Sequence, residues 1–183
     1  MRIALTGGIA CGKSLFAKFL RELGVQTLDA DDIVHELIPA EERRRLAPIV
    51  FSDPIARKAL EARIHPLVRE RFEAWFISQT SQTPQTSQTP ILKLAIIPLL
   101  FECNWDADYD IIICISSPAE EQIRRMVETR GLTREAAEAR LNAQLPVSEK
   151  AARSHYVVVN DSTVEHLREE AARCVEWLRS RQS

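Results

Sequence analysis

Cysteine and glycine are scarce in this sequence, and the spacing of the cysteines argues against two kinds of site. The chain has four cysteines and five glycines in 183 residues. The cysteines stand far apart without any Cys-x-x-Cys pair, so the pattern favours neither a zinc site nor a disulfide scaffold. Cys114 and Cys174 fall in apolar runs and are expected in the core. A reducing compartment is the simplest reading.

Long apolar runs and a strong charge of one sign are also absent. No run approaches the roughly 18 apolar residues that cross a bilayer, and we read no secretory leader before the first apolar run. The net charge of −2 gives no reason to expect a nucleic-acid partner. We therefore expect a cytoplasmic protein that binds neither membrane nor nucleic acid. Its apolar share of 45% is enough for a real core.

Short apolar runs alternate with longer segments of helical periodicity. Strands joined by helical crossovers pair in parallel, with helices on both faces of the sheet. The pattern predicts an α/β fold of three layers in a single domain, residues 1–183. The five predicted strands are 2–6, 25–28, 91–98, 109–115 and 156–159.

Serine and threonine residues mark the predicted starts of three later helices. Ser117 is followed three residues later by Glu120, and Ser162 is followed in the same way by Glu165. This spacing is typical of a capping box, in which the first side chain caps the helix. Thr133 is predicted to cap a helix between these two.

One segment is a short internal duplication. Residues 79–84, Gln-Thr-Ser-Gln-Thr-Pro, are repeated without change as residues 85–90. Because the segment has no apolar side chain, burial cannot offset the entropy lost on ordering it. We therefore predict a mobile, low-complexity surface loop.

The most informative motif lies between the first predicted strand and the first predicted helix. Residues 7–14 match G-x-x-x-x-G-K-S, in which backbone N–H groups cradle phosphates at a helix N-terminus. In this motif Lys13 bridges the β- and γ-phosphates of ATP, and the Ser14 hydroxyl binds Mg²⁺. The predicted nucleotide-binding residues are Gly7, Gly8, Ile9, Ala10, Cys11, Gly12, Lys13, Ser14 and Leu15.

Acidic residues follow the second predicted strand, where ligands of parallel sheets bind. Asp29 and Asp31 are suited to orienting an acceptor hydroxyl, accepting its proton or binding Mg²⁺ through water. The alternative is a structural role, in which Asp31 or Asp32 caps the next helix.

Glu102 and a set of arginines are further candidates. Glu102 ends the third predicted strand at the same edge of the sheet, although an ordinary exit from a strand has the same pattern. Arginines in kinase lids neutralise the transferring phosphoryl group, whereas a solvated helix face also carries them, with Arg134 paired to Glu138. These arginines are Arg124, Arg125, Arg130, Arg134 and Arg140.

Together, these motifs resemble the dephospho-coenzyme A kinase family, and the resemblance covers nearly the whole chain. The Asp-Ala-Asp and Ile-His-Pro stretches are far more specific than the phosphate loop alone. The matching stretches are 5–9 with 12–14, 28–31, 64–69, 98–102, 140–144 and 158–162.

The resemblance implies a P-loop kinase that uses ATP and Mg²⁺ to phosphorylate the ribose 3′-hydroxyl of dephospho-coenzyme A, the final step of coenzyme A biosynthesis. It implies a helical acceptor-binding insertion at about 33–78 and a lid at about 118–150. The implied catalytic residues are Asp31, Lys13 and Arg140, and Asn160 lies beside the adenine. The implied acceptor-binding residues are Asp29, His65, Arg69 and Glu102. Taken alone, His65 also fits a histidine packed at a helix bend.

The chain departs from the family pattern at three places. Ala10 and Cys11 replace the usual Gly and Ser, and Asp161 follows Asn160 where a glycine is usual. The stretch between Ile38 and Glu41 is much shorter than in typical members, so part of the acceptor region is missing.

Two other functions stay open. The first is another P-loop nucleoside or nucleotide kinase, and the second is a member that binds nucleotide without turnover. A GTPase-like switch is disfavoured, because the sequence has no Asn-Lys-x-Asp segment.

Overall fold

A five-stranded sheet forms the core of this computed structural model, which describes residues 1–78 and 91–182. The strand order is β2-β3-β1-β4-β5, and β1 pairs in parallel with β3 and β4. The predicted α/β fold with five parallel strands is confirmed. The predicted loop at 79–90 lies outside the described residues. The strands are β1 Ile3–Gly7, β2 Gln26–Asp29, β3 Lys93–Ile96, β4 Ile111–Ser116 and β5 Tyr156–Val159.

The central strand β1 is buried over its whole length, which explains why its sequence is apolar except at Thr6. It ends at Gly7, whose register partner on β4 is Ile115. A Cβ atom at Gly7 would lie 2.2 Å from the Ile115 carbonyl oxygen, and its φ is +144°. Only glycine fits here, so the phosphate loop begins in close contact with β4.

Eight helices and one 3-10 turn, at Asp106–Asp108, occur in the described residues. The sequence did not predict the short helix α7 or the 3-10 turn. None of the described helices has the combination of length and hydrophobicity needed to cross a membrane. The helices are α1 Lys13–Glu22, α2 Ala30–Leu37, α3 Ala40–Ser52, α4 Pro54–Ile77, α5 Ala119–Arg130, α6 Arg134–Asn142, α7 Val147–Ala152 and α8 Val164–Ser180.

The chain divides into two compact units, residues 1–27 with 91–183 and residues 28–90. In the first unit, α1 and α8 bury apolar side chains in the core of the sheet, including the predicted core residue Cys174. Cys114 is also fully buried, as predicted. In the second unit, α4 packs against α2 and α3. The assignment of an acceptor insertion and a lid stays a prediction.

Two of the three predicted helix caps are wrong. Ser117 does not cap α5, because its hydroxyl donates to the Asn160 carbonyl at 2.7 Å and so joins the ends of β4 and β5. The last helix is capped one residue later than predicted, by Thr163, which accepts from the His166 N–H. Thr133 caps α6 as predicted, accepting from the Ala136 N–H.

Candidate active site

The phosphate loop connects β1 to α1, in the strand–loop–helix context that the motif requires. Gly12 precedes α1 with φ +90°, and Phe16 N–H donates to its carbonyl at 3.0 Å. Ala10 also has a left-handed backbone, with φ +56°. A non-glycine residue is strained there. The loop therefore needs outside contacts that hold its shape.

Two side chains supply those contacts, the buried Asn160 and the partly buried Arg125. Asn160 Nδ2 donates to the Cys11 carbonyl at 2.9 Å, and Arg125 Nη1 donates to the Ala10 carbonyl at 3.3 Å. Arg125 Nη2 also donates to the Asn160 carbonyl at 3.0 Å. A Cβ atom at Gly12 would lie 2.4 Å from Asn160 Nδ2, so this contact depends on the glycine. The resemblance places Asn160 beside the adenine, and the structure shows its side chain on the loop itself.

The sequence names Arg125 only as one of five candidate arginines, and the structure distinguishes it from the others. Its side chain is 21% exposed, whereas that of its neighbour Arg124 is 54% exposed and pairs with Glu121 and Glu128. Arg125 lies three residues after Gln122 and so shares its helix face, but only the structure shows that Gln122 is buried.

Gln122 closes the loop from another side. Its Nε2 donates to the Ser117 carbonyl at 2.9 Å, while its Oε1 is buried without a hydrogen-bond partner in the described part of the chain. A Cβ atom at Gly8 would lie 2.6 Å from this oxygen. Gly8 is therefore required for packing as well as for phosphate access.

Lys13 is folded back over the start of the loop. Its ammonium donates to the carbonyls of Gly7 at 3.0 Å and Gly8 at 2.7 Å. Ser14 is exposed in the first turn of α1, and Leu15 packs against the core. A cation, a hydroxyl and the N-terminus of a helix thus converge where phosphates bind in such loops.

The Cys11 thiol in the loop is not a candidate nucleophile. Burial raises its pKa above the ordinary value, although the nearby Lys13 ammonium partly offsets this effect. A buried, protonated thiol is unreactive.

The predicted lid segment, residues 118–150, packs on the phosphate loop. Ile123, Met126 and Ala137 form a small buried cluster against which Ile9 and Ala10 pack. A cavity of about 610 Å³ lies beside Gly8, bordered by the start of α5 and by the connection between α6 and α7.

Two other arginines of the predicted lid, Arg134 and Arg140, have different surroundings. Arg134 bonds to Glu138 at 2.8 Å, as the sequence predicts, and to Glu120 at 2.8 Å. Arg140 is exposed in the last turn of α6.

Glu102 contacts protein groups in the first unit. Its Oε1 lies 2.6 Å from Lys150 Nζ and accepts from the Leu145 N–H at 3.1 Å. The sequence predicts an acceptor contact for Glu102, which stays a prediction.

In the second unit, Asp29 rather than Asp31 or Asp32 caps α2. Its Oδ1 accepts from the Asp31 N–H at 2.9 Å, so the alternative of a cap at Asp31 or Asp32 is wrong. The reason is that α2 begins at Ala30, earlier than the apolar pattern from Ile33 indicates. Asp31 is exposed in the first turn, and its carboxylate is not needed to cap the helix.

His65 and Arg69 lie on α4, four residues apart. Residues at this spacing share one face of a helix. His65 is half-buried and Arg69 is exposed, and Pro66 stands between them inside the helix.

Comparison with known proteins decides the family. The family model described as dephospho-CoA kinase matches residues 1–43 and 39–166 of this chain. The chain belongs to the dephospho-CoA kinase family. A dephospho-CoA kinase of Parasynechococcus marenigrum is 34% identical over 94% of each chain. A dephospho-CoA kinase structure from Campylobacter jejuni covers all of this chain and 98% of its own, with 25% identity and a TM-score of 0.71. The match to a crystal structure from Thermus thermophilus covers 96% of this chain and 97% of that chain, with 34% identity and a TM-score of 0.75.

The dephospho-CoA kinase family match is divided at one place. Its two segments overlap at residues 39–43, where the sequence predicts a shortened acceptor region. The alignment with the Parasynechococcus enzyme has 194 positions, yet 94% of this chain is only about 172 residues. About 22 aligned positions therefore have no residue here.

Proposed function

We propose that this chain transfers the γ-phosphoryl group of ATP to the ribose 3′-hydroxyl of dephospho-coenzyme A, the last step of coenzyme A biosynthesis. The phosphate loop between β1 and α1 carries the proposal, together with membership of the family. The reaction is proposed for the cytoplasm and needs neither a membrane nor a nucleic acid.

Positive charge would stabilise the transition state. Charge that develops on the transferring group is stabilised by fixed cations and N–H groups. Lys13 is proposed to leave the Gly7 and Gly8 carbonyls for the β- and γ-phosphates. Arg140, exposed at the end of α6, is proposed to supply a second positive charge to the phosphates from the lid.

Acceptor binding is assigned to the second unit. Asp31 is proposed to orient the 3′-hydroxyl and take its proton, because its exposed carboxylate is not used as a cap. Asp29, with one oxygen on the Asp31 N–H, is proposed to position it. His65 and Arg69 are proposed to bind the acceptor from one face of α4.

The residues present fit a magnesium ion that arrives with ATP. Mg²⁺ keeps several waters and needs few protein ligands when phosphates supply the others. The described residues contain no cluster of three or more acidic, His or Cys side chains for a metal, and the exposed Ser14 hydroxyl is the proposed ligand. Asp29 is proposed as a second contact through water. When bound, Mg²⁺ would neutralise phosphate charge.

The interrupted family match favours a second candidate, a nucleotide-binding member without turnover. One assay separates the two: ADP release with dephospho-coenzyme A as acceptor, with the product identified by mass spectrometry. Coenzyme A is the matched control acceptor, because its 3′-hydroxyl is already phosphorylated. A panel of nucleosides and nucleotides as acceptors tests the alternative that the chain is another P-loop nucleoside or nucleotide kinase. ATP binding by calorimetry, without any phosphorylated product, would support the second candidate.

A further inference from the structure

Lys150 in α7 is a lysine with no exposed side-chain surface. Its ammonium lies 2.6 Å from Glu102 Oε1 and donates to the Pro98 carbonyl at 3.0 Å. A buried charge is tolerated only when it is paired and hydrogen-bonded. Since the Lys150 ammonium is fully buried and already bound to Glu102 and the Pro98 carbonyl, its charge stabilises contacts within the protein.

Glu102 joins three separate parts of the first unit. It lies in the turn after β3, pairs with Lys150 in α7 and accepts from the Leu145 N–H, at the end of the α6–α7 connection. Its side chain is 23% exposed, so the carboxylate lies mostly inside the protein. One side chain thus fixes the point where the lid segment returns to the sheet.

Arg140 is the group that this arrangement can control. It lies in the last turn of α6, five residues before Leu145. The start of the lid segment is held separately, through Arg125 and Ser117. Fixing both ends limits where Arg140 can reach.

We propose that the Glu102–Lys150 ion pair is a positioning device that fixes the end of the lid segment and thereby aims Arg140 at the nucleotide phosphates. This inference rests on the proposed phosphoryl transfer from ATP. Glu102 then acts through the lid and does not touch the acceptor.

The test measures ATP affinity by calorimetry without acceptor, in Lys150→Met, Arg140→Ala and the double variant. Lys150→Met should weaken ATP binding about tenfold, because small misplacement of a charged contact is costly. The double variant should bind no more weakly than Arg140→Ala. Effects that multiply in the double variant would overturn the proposal, since they would show that the residues act independently.

Arg153→Gln is the matched control, because it removes another cation from the end of α7. Arg153 bonds to Asp106 at 3.0 Å and is 39% exposed. Its loss should leave ATP affinity unchanged within about twofold, as expected for an exposed pair. An equal loss of ATP affinity in Arg153→Gln and Lys150→Met would contradict the proposal, because any weakening of the contacts of α7 would then be enough to lower ATP affinity.

Glu102→Gln keeps the test valid if Lys150→Met does not fold. It should weaken ATP binding about threefold, a smaller loss because the amide still accepts a hydrogen bond, and it should leave the acceptor KM unchanged. A higher acceptor KM with unchanged ATP affinity would instead identify Glu102 as a direct acceptor contact. The proposed function is tested separately, in the wild-type chain, and its failure would be seen as the absence of phosphorylated product.

Discussion

The phosphate loop and the described part of the second unit, residues 28–78, which contains the proposed acceptor region, are stabilised in different ways. The loop is held from outside by Asn160 and Arg125, whose amide and guanidinium bond to its carbonyls. The acceptor region carries exposed ion pairs, such as Arg71 with Glu36 at 2.9 Å. Surface pairs contribute little stability, about 0–1 kcal/mol each.

This difference indicates which parts of the chain tolerate substitutions or changes of length. A loop with a left-handed alanine keeps its shape only while distant residues hold it, so substitutions there alter the chemistry directly. In the proposed acceptor region, Ile64, Val68 and Phe72 on α4 are buried, whereas the ion pairs lie at the surface. A change of length at its surface should therefore alter acceptor affinity before it alters the fold.

The strongest test of the loop is Lys13→Ala. We expect kcat to fall about 10³-fold, because the ammonium neutralises charge that grows in the transition state. Lys18→Ala is the matched control, since Lys18 is an exposed lysine in the same helix. Near-normal kcat in the Lys13 variant, with an unchanged circular dichroism spectrum, would refute the nucleotide-site assignment.

The strongest test of the acceptor region is Asp31→Asn. We expect kcat to fall about 10²-fold, as for loss of a general base, while the KM for ATP changes little. Asp32→Asn, at the next residue and also exposed, should be nearly neutral. A loss of ATP affinity alone would assign Asp31 to metal binding.

Asn160→Ala tests whether the loop is held from outside. The variant leaves the buried Cys11 carbonyl without its donor, so we expect unfolding free energy to fall by about 1–3 kcal/mol. ATP affinity should fall with it, and thermal melts with and without ATP measure both effects. Adding Ala10→Gly should recover part of the loss, because glycine adopts φ +56° without strain. No recovery would mean that strain at Ala10 is unimportant.

The sequence predicted the features that depend on neighbouring residues. The phosphate loop, the five strands and the cap at Thr133 are local patterns, and the structure confirms them. The contact of Arg125 with Ala10 spans 115 positions, and no local pattern separates Arg125 from the exposed Arg124. The predicted cap at Ser117 is wrong for the same reason, because its hydroxyl donates to the carbonyl of the distant Asn160, which follows β5.

The smallest expected effect concerns the shortened stretch after Ile38. Binding energy from remote parts of a substrate positions its reacting centre, so missing contacts should raise the acceptor KM and leave Lys13 and Asp31 competent. Inserting the longer family segment between Ile38 and Glu41 should lower the acceptor KM about tenfold, or about 1.4 kcal/mol of recovered binding.

A Gly/Ser insert of equal length is the control for this graft, because it restores length without specific contacts. It should leave the acceptor KM unchanged, and neither insert should change the KM for ATP. Equal improvement by both inserts would show that the shortened connection restricts the second unit and that no contacts are missing. Improvement by the family segment alone, at constant ATP KM, would show that acceptor binding changes independently of the phosphate loop. That independence is what a loop held by Asn160 and Arg125, both outside the acceptor region, predicts.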